Sequence, residues 1–132
     1  MKGILIVDHG SRMREANDML RCMANLIQTM GGPDVVVRYA HMELADPDIA
    51  AGFASCVHAG ASEVIVFPYM LSPGRHSTSD IPRMVADTAK NFPNVTFAVT
   101  PAFGLDEKLA EIVLARAMTA PLPPEQLPLH AN

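Results

Sequence analysis

What most constrains this chain is the order in which two hydrophobic periods alternate along it. Ile4-Leu5-Ile6-Val7 is a short β-branched run, the pattern of a strand covered on both faces. From Arg12 to Met30 the period changes, and Ala16, Met19, Leu20, Met23, Ile27 and Met30 recur at helical spacing. That stripe predicts an amphipathic helix with its methionines filling core space, stopped by Gly31-Gly32. Val35 to Met42 reads as a second strand. Asp46-Pro47 predicts the next helix start, with Asp as N-cap and Pro in the first position. Ile49, Ala50, Phe53, Ala54 and Val57 carry that helix to Gly60, with His58 in its last turn. Glu63 to Tyr69 is a third strand and Met70 to Thr78 a loop. Ser79-Asp80 caps a helix to about Asn91. Asn94 to Thr100 is a fourth strand, and Leu105 to Met118 a fourth helix built on Leu109, Ile112, Val113 and Met118.

Four strand–helix units in succession imply an α/β fold: a flavodoxin-like three-layer sandwich around a four-stranded parallel sheet, with helices on both faces. Right-handed crossovers favour the strand order 2-1-3-4. At 132 residues one core is expected, in a domain over 1–119. Pro121, Pro123, Pro124 and Pro128 make 120–132 a Pro-rich tail that no regular helix can span.

Charge narrows the partners. Ten Lys and Arg against fourteen Asp and Glu leave a net charge of −4, unsuited to nucleic acid or an anionic membrane. No apolar run approaches the roughly 20 residues of a membrane span, and Gly3–Val7 is too short for a signal-peptide core. A cytoplasmic protein is the expectation. Cys22 and Cys56 lie in helical patterns without CxxC spacing, which argues against a disulfide or a zinc knuckle.

Open parallel sheets bind ligands beyond the carboxyl ends of their strands, where strand order reverses. In a 2-1-3-4 sheet that point lies between strands one and three. Strand one runs into Asp8-His9-Gly10-Ser11-Arg12, and strand three into Leu71-Ser72-Pro73-Gly74-Arg75-His76. Strand two ends in His41-Met42-Glu43, so two histidines and a glutamate converge on one rim. Gly10 would let a ligand approach the backbone beside His9. His41 shares a strand face with Glu43 and either supports the site or packs, with packing preferred; His130, in the tail, has no assigned role. Two imidazoles and at most one carboxylate suit cobalt, nickel, iron or zinc with coordination positions left open, and imidazole also accepts protons near neutral pH.

The run Ile6-Val7-Asp8-His9-Gly10-Ser11-Arg12, then Glu43 before Pro47, then Val66-Phe67-Pro68-Tyr69-Met70-Leu71 with Gly74-Arg75-His76 and Asp80-Ile81-Pro82, resembles the small sirohydrochlorin chelatases, the short CbiX-type members of the class II tetrapyrrole chelatases. The likeness runs in order from the first strand through the third helix. It implies insertion of cobalt, nickel or ferrous iron into a sirohydrochlorin-like macrocycle, in cobalamin- or siroheme-type biosynthesis, without ATP or an organic cofactor. His9 would then be metal ligand and proton acceptor, His76 the second ligand, and Glu43 a substrate contact. Leu71, Ser72, Pro73, Gly74, Arg75 and His76 would line the substrate cleft, with Ser11 and Arg12 opposite. Arg12 and Arg75 are the cations for a polycarboxylate substrate. Double-length relatives hold two such domains, so a homodimer is implied. Asp8 departs from the family pattern, in which small residues precede the key histidine; it would either raise the pKa of His9 or orient its ring.

Three rival readings start from the same residues. Phosphohistidine-type phosphoryl transfer also uses His-Gly after a first strand, but Asp8 would repel phosphate. A metal or tetrapyrrole carrier would use this rim without turnover. An interaction module would bind no metal.

Overall fold

The computed structural model describes residues 1–72 and 74–119, apart from the side chains of 75–78. Pro73 and the tail at 120–132 lie outside the described residues. The elements are β1 (Lys2–Asp8), α1 (Arg14–Gly31), β2 (Val35–His41), α2 (Ile49–His58), β3 (Glu63–Pro68), α3 (Arg75–Ala89), β4 (Thr96–Val99) and α4 (Glu107–Met118). All strand pairs are parallel and the order is β2-β1-β3-β4, as the alternation predicts.

The two faces of the sheet are built from alternate residues of the same strands. Leu5, Val7, Val64 and Val66 face α2 and α3, where they bury Ile49, Phe53, Ile81 and Val85 in the larger core. Ile6 and Val37 face α1 and pack on Leu20 and Ala24. Each such aliphatic side chain contributes roughly 1.5–3 kcal/mol on burial. α2 lies so close to the sheet that Gly52 has no room for a side chain: a Cβ there would stand 2.8 Å from Leu5 Cδ1 and 2.9 Å from Ala40 Cβ. The exposed edge of β2 is closed by Gln28, whose Oε1 accepts from the Val37 amide at 2.8 Å while Nε2 donates to the Val35 carbonyl at 2.8 Å.

Three local expectations are corrected. Asp48, not Asp46, caps α2: its carboxylate accepts from the Ala51 amide at 2.8 Å, and the Asp46-Pro47 bond is cis and precedes the helix. α3 begins at Arg75 rather than after Ser79-Asp80, so Gly74 is its last preceding residue and His76 falls in its first turn. The α1 stripe is narrower than its spacing suggests, because Met19 and Met30 are exposed and only Met23 joins the core beside Leu20, Ala24 and Ile27.

α4 also differs from expectation. It forms, with Asp106 as its N-cap, but buries none of its residues; Ile112, Val113 and Met118 are exposed. Together with α1 it bounds an apolar groove of about 550 Å³ whose floor is Ile4, Ile6, Ile65 and Phe67. The helical period was readable, but the partner its apolar side meets was not. No helix among the described residues is long and apolar enough to cross a membrane. Cys22 is exposed and Cys56 buried, and both are free thiols.

Candidate active site

The carboxyl edge of the sheet carries the site, and hydrogen bonds that extend the strands build it. Beyond the last β1–β2 pair, the Met42 amide donates to the Asp8 carbonyl at 2.9 Å, and the Glu43 amide to the His9 carbonyl at 3.2 Å. β2 itself ends at His41, so Glu43 does not share a strand face with it as expected; the backbone bends there, and Leu44 adopts a φ of 70°. Gly10 has a φ of 88°, and a Cβ at this position would collide with the Glu43 carbonyl oxygen. Glycine is therefore required by the neighbouring chain, where the sequence suggested room for a ligand.

On the other side of β1, the Tyr69 amide donates to the Val7 carbonyl at 2.6 Å. A cleft of about 400 Å³ opens between the two loops, walled by Asp8, His9 and Ser11 on one side and by Tyr69, Leu71 and Ser72 on the other. Here the expected switch point is realised: His9, Ser11, Leu71 and Ser72 meet at one cleft. Glu43 is exposed and joins this cluster through its backbone, without lining the cleft. Arg12, next in the chain after Ser11, is exposed. Gly74 is exposed at the start of α3, which carries Arg75 and His76 in its first turn above the same edge. The side chains of Arg75 and His76, and Pro73 as a whole, lie outside the described residues. Among the described residues, no three His, Cys, Asp or Glu side chains cluster as a metal site.

Several residues that shape the cleft were not singled out from sequence. Asn17 clasps Ser11 twice: its Oδ1 accepts from the Ser11 amide at 3.0 Å, and its Nδ2 donates to the Ser11 carbonyl at 2.7 Å. The Ser11 hydroxyl oxygen in turn accepts from the Met13 amide at 3.0 Å. Phe103 meets the rings of Phe67 and Tyr69 edge-on at 5.0 Å, while its amide donates to the Met70 carbonyl at 3.0 Å. Burial first, and then the charge of Asp8, push the Tyr69 phenol above its ordinary value, so it stays protonated and available as a donor at neutral pH. A six-residue interval between Ser11 and Asn17, or an aromatic after the fourth strand, carries no signal without the fold.

The Asp8 carboxylate turns away from the role expected of it. Its Oδ1 lies 2.6 Å from His41 Nδ1 and accepts from the Gly10 amide at 2.9 Å. Its ring partner is thus His41, and His41 is fully buried, against the edge of Tyr39 at 5.8 Å.

Comparison with known proteins places the chain in a family. The CbiX family model matches residues 3–120. A sirohydrochlorin ferrochelatase of Arabidopsis thaliana chloroplasts is 44% identical over 111 residues, which is 84% of this chain and 49% of that protein. The sirohydrochlorin cobaltochelatase of Sulfurisphaera tokodaii is 29% identical over 88% of this chain and 91% of its own length. Among solved structures, the sirohydrochlorin chelatase SirB of Bacillus subtilis subspecies spizizenii in complex with cobalt superposes with a TM-score of 0.80 at 29% identity, covering 88% of this chain and 49% of that one. The chain spans about half the length of several relatives or less, and nearly all of others. With the family model matching almost the whole described domain and the fold in agreement, this chain belongs to the CbiX family.

Proposed function

We propose that this chain inserts a divalent metal, cobalt or alternatively nickel or ferrous iron, into a sirohydrochlorin-like tetrapyrrole, without ATP or an organic cofactor. The observation that carries the reading is the Glu43–His9 backbone bond at the rim of the β1–β3 cleft, which draws two chemistry-bearing positions far apart in sequence onto one edge. The chain's relatives include both sirohydrochlorin cobaltochelatases and ferrochelatases.

The reaction needs little else. Inserting M²⁺ releases two pyrrole N–H protons, so a base must stand beside a metal that is held loosely enough to leave. In this reading exposed His9 binds the incoming metal and accepts a proton, and His76, carried over the same edge by α3, supplies the second imidazole. Glu43 contacts the macrocycle. Arg12 and Arg75 pair with its peripheral carboxylates, offsetting the net negative charge of the protein. Ser11, Leu71 and Ser72 line the cleft, and Pro73 and Gly74 belong with them to the substrate-binding set. Tyr69 donates a hydrogen bond and does not serve as base.

A homodimer belongs to the same proposal. The chain is about half as long as several relatives, and α4 and the groove beside it present an apolar surface that a second copy would cover. Sedimentation velocity at micromolar concentration is expected to give a single species near twice 14.2 kDa.

The deciding experiment mixes excess sirohydrochlorin with Co²⁺, Ni²⁺ or Fe²⁺ and follows the macrocycle absorbance. Many turnovers are expected from the native chain, and none above background from His9→Ala with an unchanged melting curve. Stoichiometric change alone would identify a carrier. Native-like turnover by His9→Ala would overturn the assigned roles.

A further inference from the structure

His41 is an expensive residue to bury. It is 0% exposed, and its Nε2 has no hydrogen-bond partner among the described residues. An orphaned buried polar atom is destabilising, and an aliphatic side chain of similar size would avoid the cost. Its other nitrogen shows what is gained. An ionised carboxylate only accepts, so Nδ1 carries the proton and donates to Asp8 Oδ1 at 2.6 Å. The same Oδ1 accepts from the Gly10 amide at 2.9 Å. Asp8 and Gly10 are the two chain neighbours of His9. One buried ring on β2 therefore holds both ends of the turn that presents His9, through an oxygen of a half-buried carboxylate that is 23% exposed.

We propose that His41 is a positioning residue for metal insertion. Acting through Asp8, it fixes the direction in which the exposed His9 imidazole leaves the loop. Without the Nδ1–H donor, the Asp8 carboxylate keeps the Gly10 amide but loses its tie to the β2 side chain. The His9 turn is then left on its backbone bonds to Met42 and Glu43, with the carboxylate able to tilt toward the cleft it lines. The inference rests on the metal-insertion reading above and adds a residue that does not itself touch metal or macrocycle. Outer partners of this kind typically matter by about 10–100-fold in activity or metal affinity.

Two substitutions at His41 separate positioning from packing because they predict opposite orders. Asn places an amide donor where Nδ1 stands and removes the orphaned Nε2. Leu fills the buried space and removes the donor. If His41 positions His9, His41→Asn retains kcat within about threefold, while His41→Leu loses about tenfold or more in kcat with KM little changed. The visible absorption of Co²⁺ bound without macrocycle shifts in the Leu variant only. If His41 merely packs, Leu matches or exceeds Asn in both readouts, and the proposal is overturned.

Should His41→Leu fail to fold, Asp8→Ala gives the same test from the other side of the bond. It keeps the His41 ring in the core while removing its acceptor, and is expected to reproduce the loss in kcat and the Co²⁺ spectral shift. Full kcat in Asp8→Ala overturns the proposal. A native chain with no turnover, by contrast, removes the parent reading.

Discussion

The amide of Glu43 donates to the carbonyl of His9 at 3.2 Å, beyond the last regular pair of β1 and β2. Two parallel strands that stop at Asp8 and His41 continue through the Met42–Asp8 bond to this one, and it fastens two separate loops into a single rim. Sheet hydrogen bonding thus does the work of locating candidate chemical groups, and the loops inherit the rigidity of the strands that feed them.

The closeness of these loops predicts the effect of filling it. Gly10→Ala puts a methyl group into the Glu43 carbonyl and forces an L side chain to hold a φ of 88°. A loss of at least about 2 kcal/mol in urea unfolding is expected, from the left-handed conformation and the steric clash together. Metal insertion should fall more than the residual folded fraction accounts for, because the His9–Glu43 spacing must widen. Native stability in this variant would show that the loops separate at no cost.

The start of α2 predicts a contrast between two aspartates. Asp48→Ala removes the carboxylate that accepts from the Ala51 amide, and should cost about 1 kcal/mol. Asp46→Ala removes no cap and should shift the denaturation midpoint by much less. Chemical denaturation of both single variants, monitored by far-ultraviolet circular dichroism, checks the order.

The two cysteines should behave as different reagents. Burial pushes the Cys56 thiol up to about 11 from 9.0, while the Arg38 guanidinium pulls weakly the other way. At pH 8 a maleimide is expected to label exposed Cys22 quickly and Cys56 only after unfolding. The unfolded thiol ionises near 9 and the folded one near 11, so between these values the unfolded chain holds fewer protons. Stability is therefore full below pH 9 and falls as pH rises, with a Cys56 contribution of about 2 kcal/mol lost by pH 11. Cys56→Ala should flatten that part of the profile, measured as the urea midpoint between pH 8 and 11.

Much of this protein is legible in its residues because local periods report local structure. Ile4–Val7 and Val64–Phe67 could only be buried strands, and the helices between them imposed a parallel sheet. The order 2-1-3-4 then put the loops after Asp8 and Pro68 on opposite sides of one cleft. Boundaries were less readable where two adjacent residues offered the same chemistry. Asp46 and Asp48 are equally good caps by type, and only the path of the chain after His41 selects the second. The pattern Gly74-Arg75-His76 reads as loop, yet the helix begins directly after the glycine.

What the amino-acid order determined by itself was the succession of elements, the sheet they build and the edge on which function concentrates, since each follows from spacing along the chain. Only the tertiary structure decided which partner each polar group took. Asp8 binds a ring 33 residues away and not the histidine beside it, Asn17 clasps Ser11, and α4 leaves its apolar side uncovered. Those choices depend on distances across the fold, fixed by packing and by the need to pair buried donors and acceptors, and no period in a sequence encodes them.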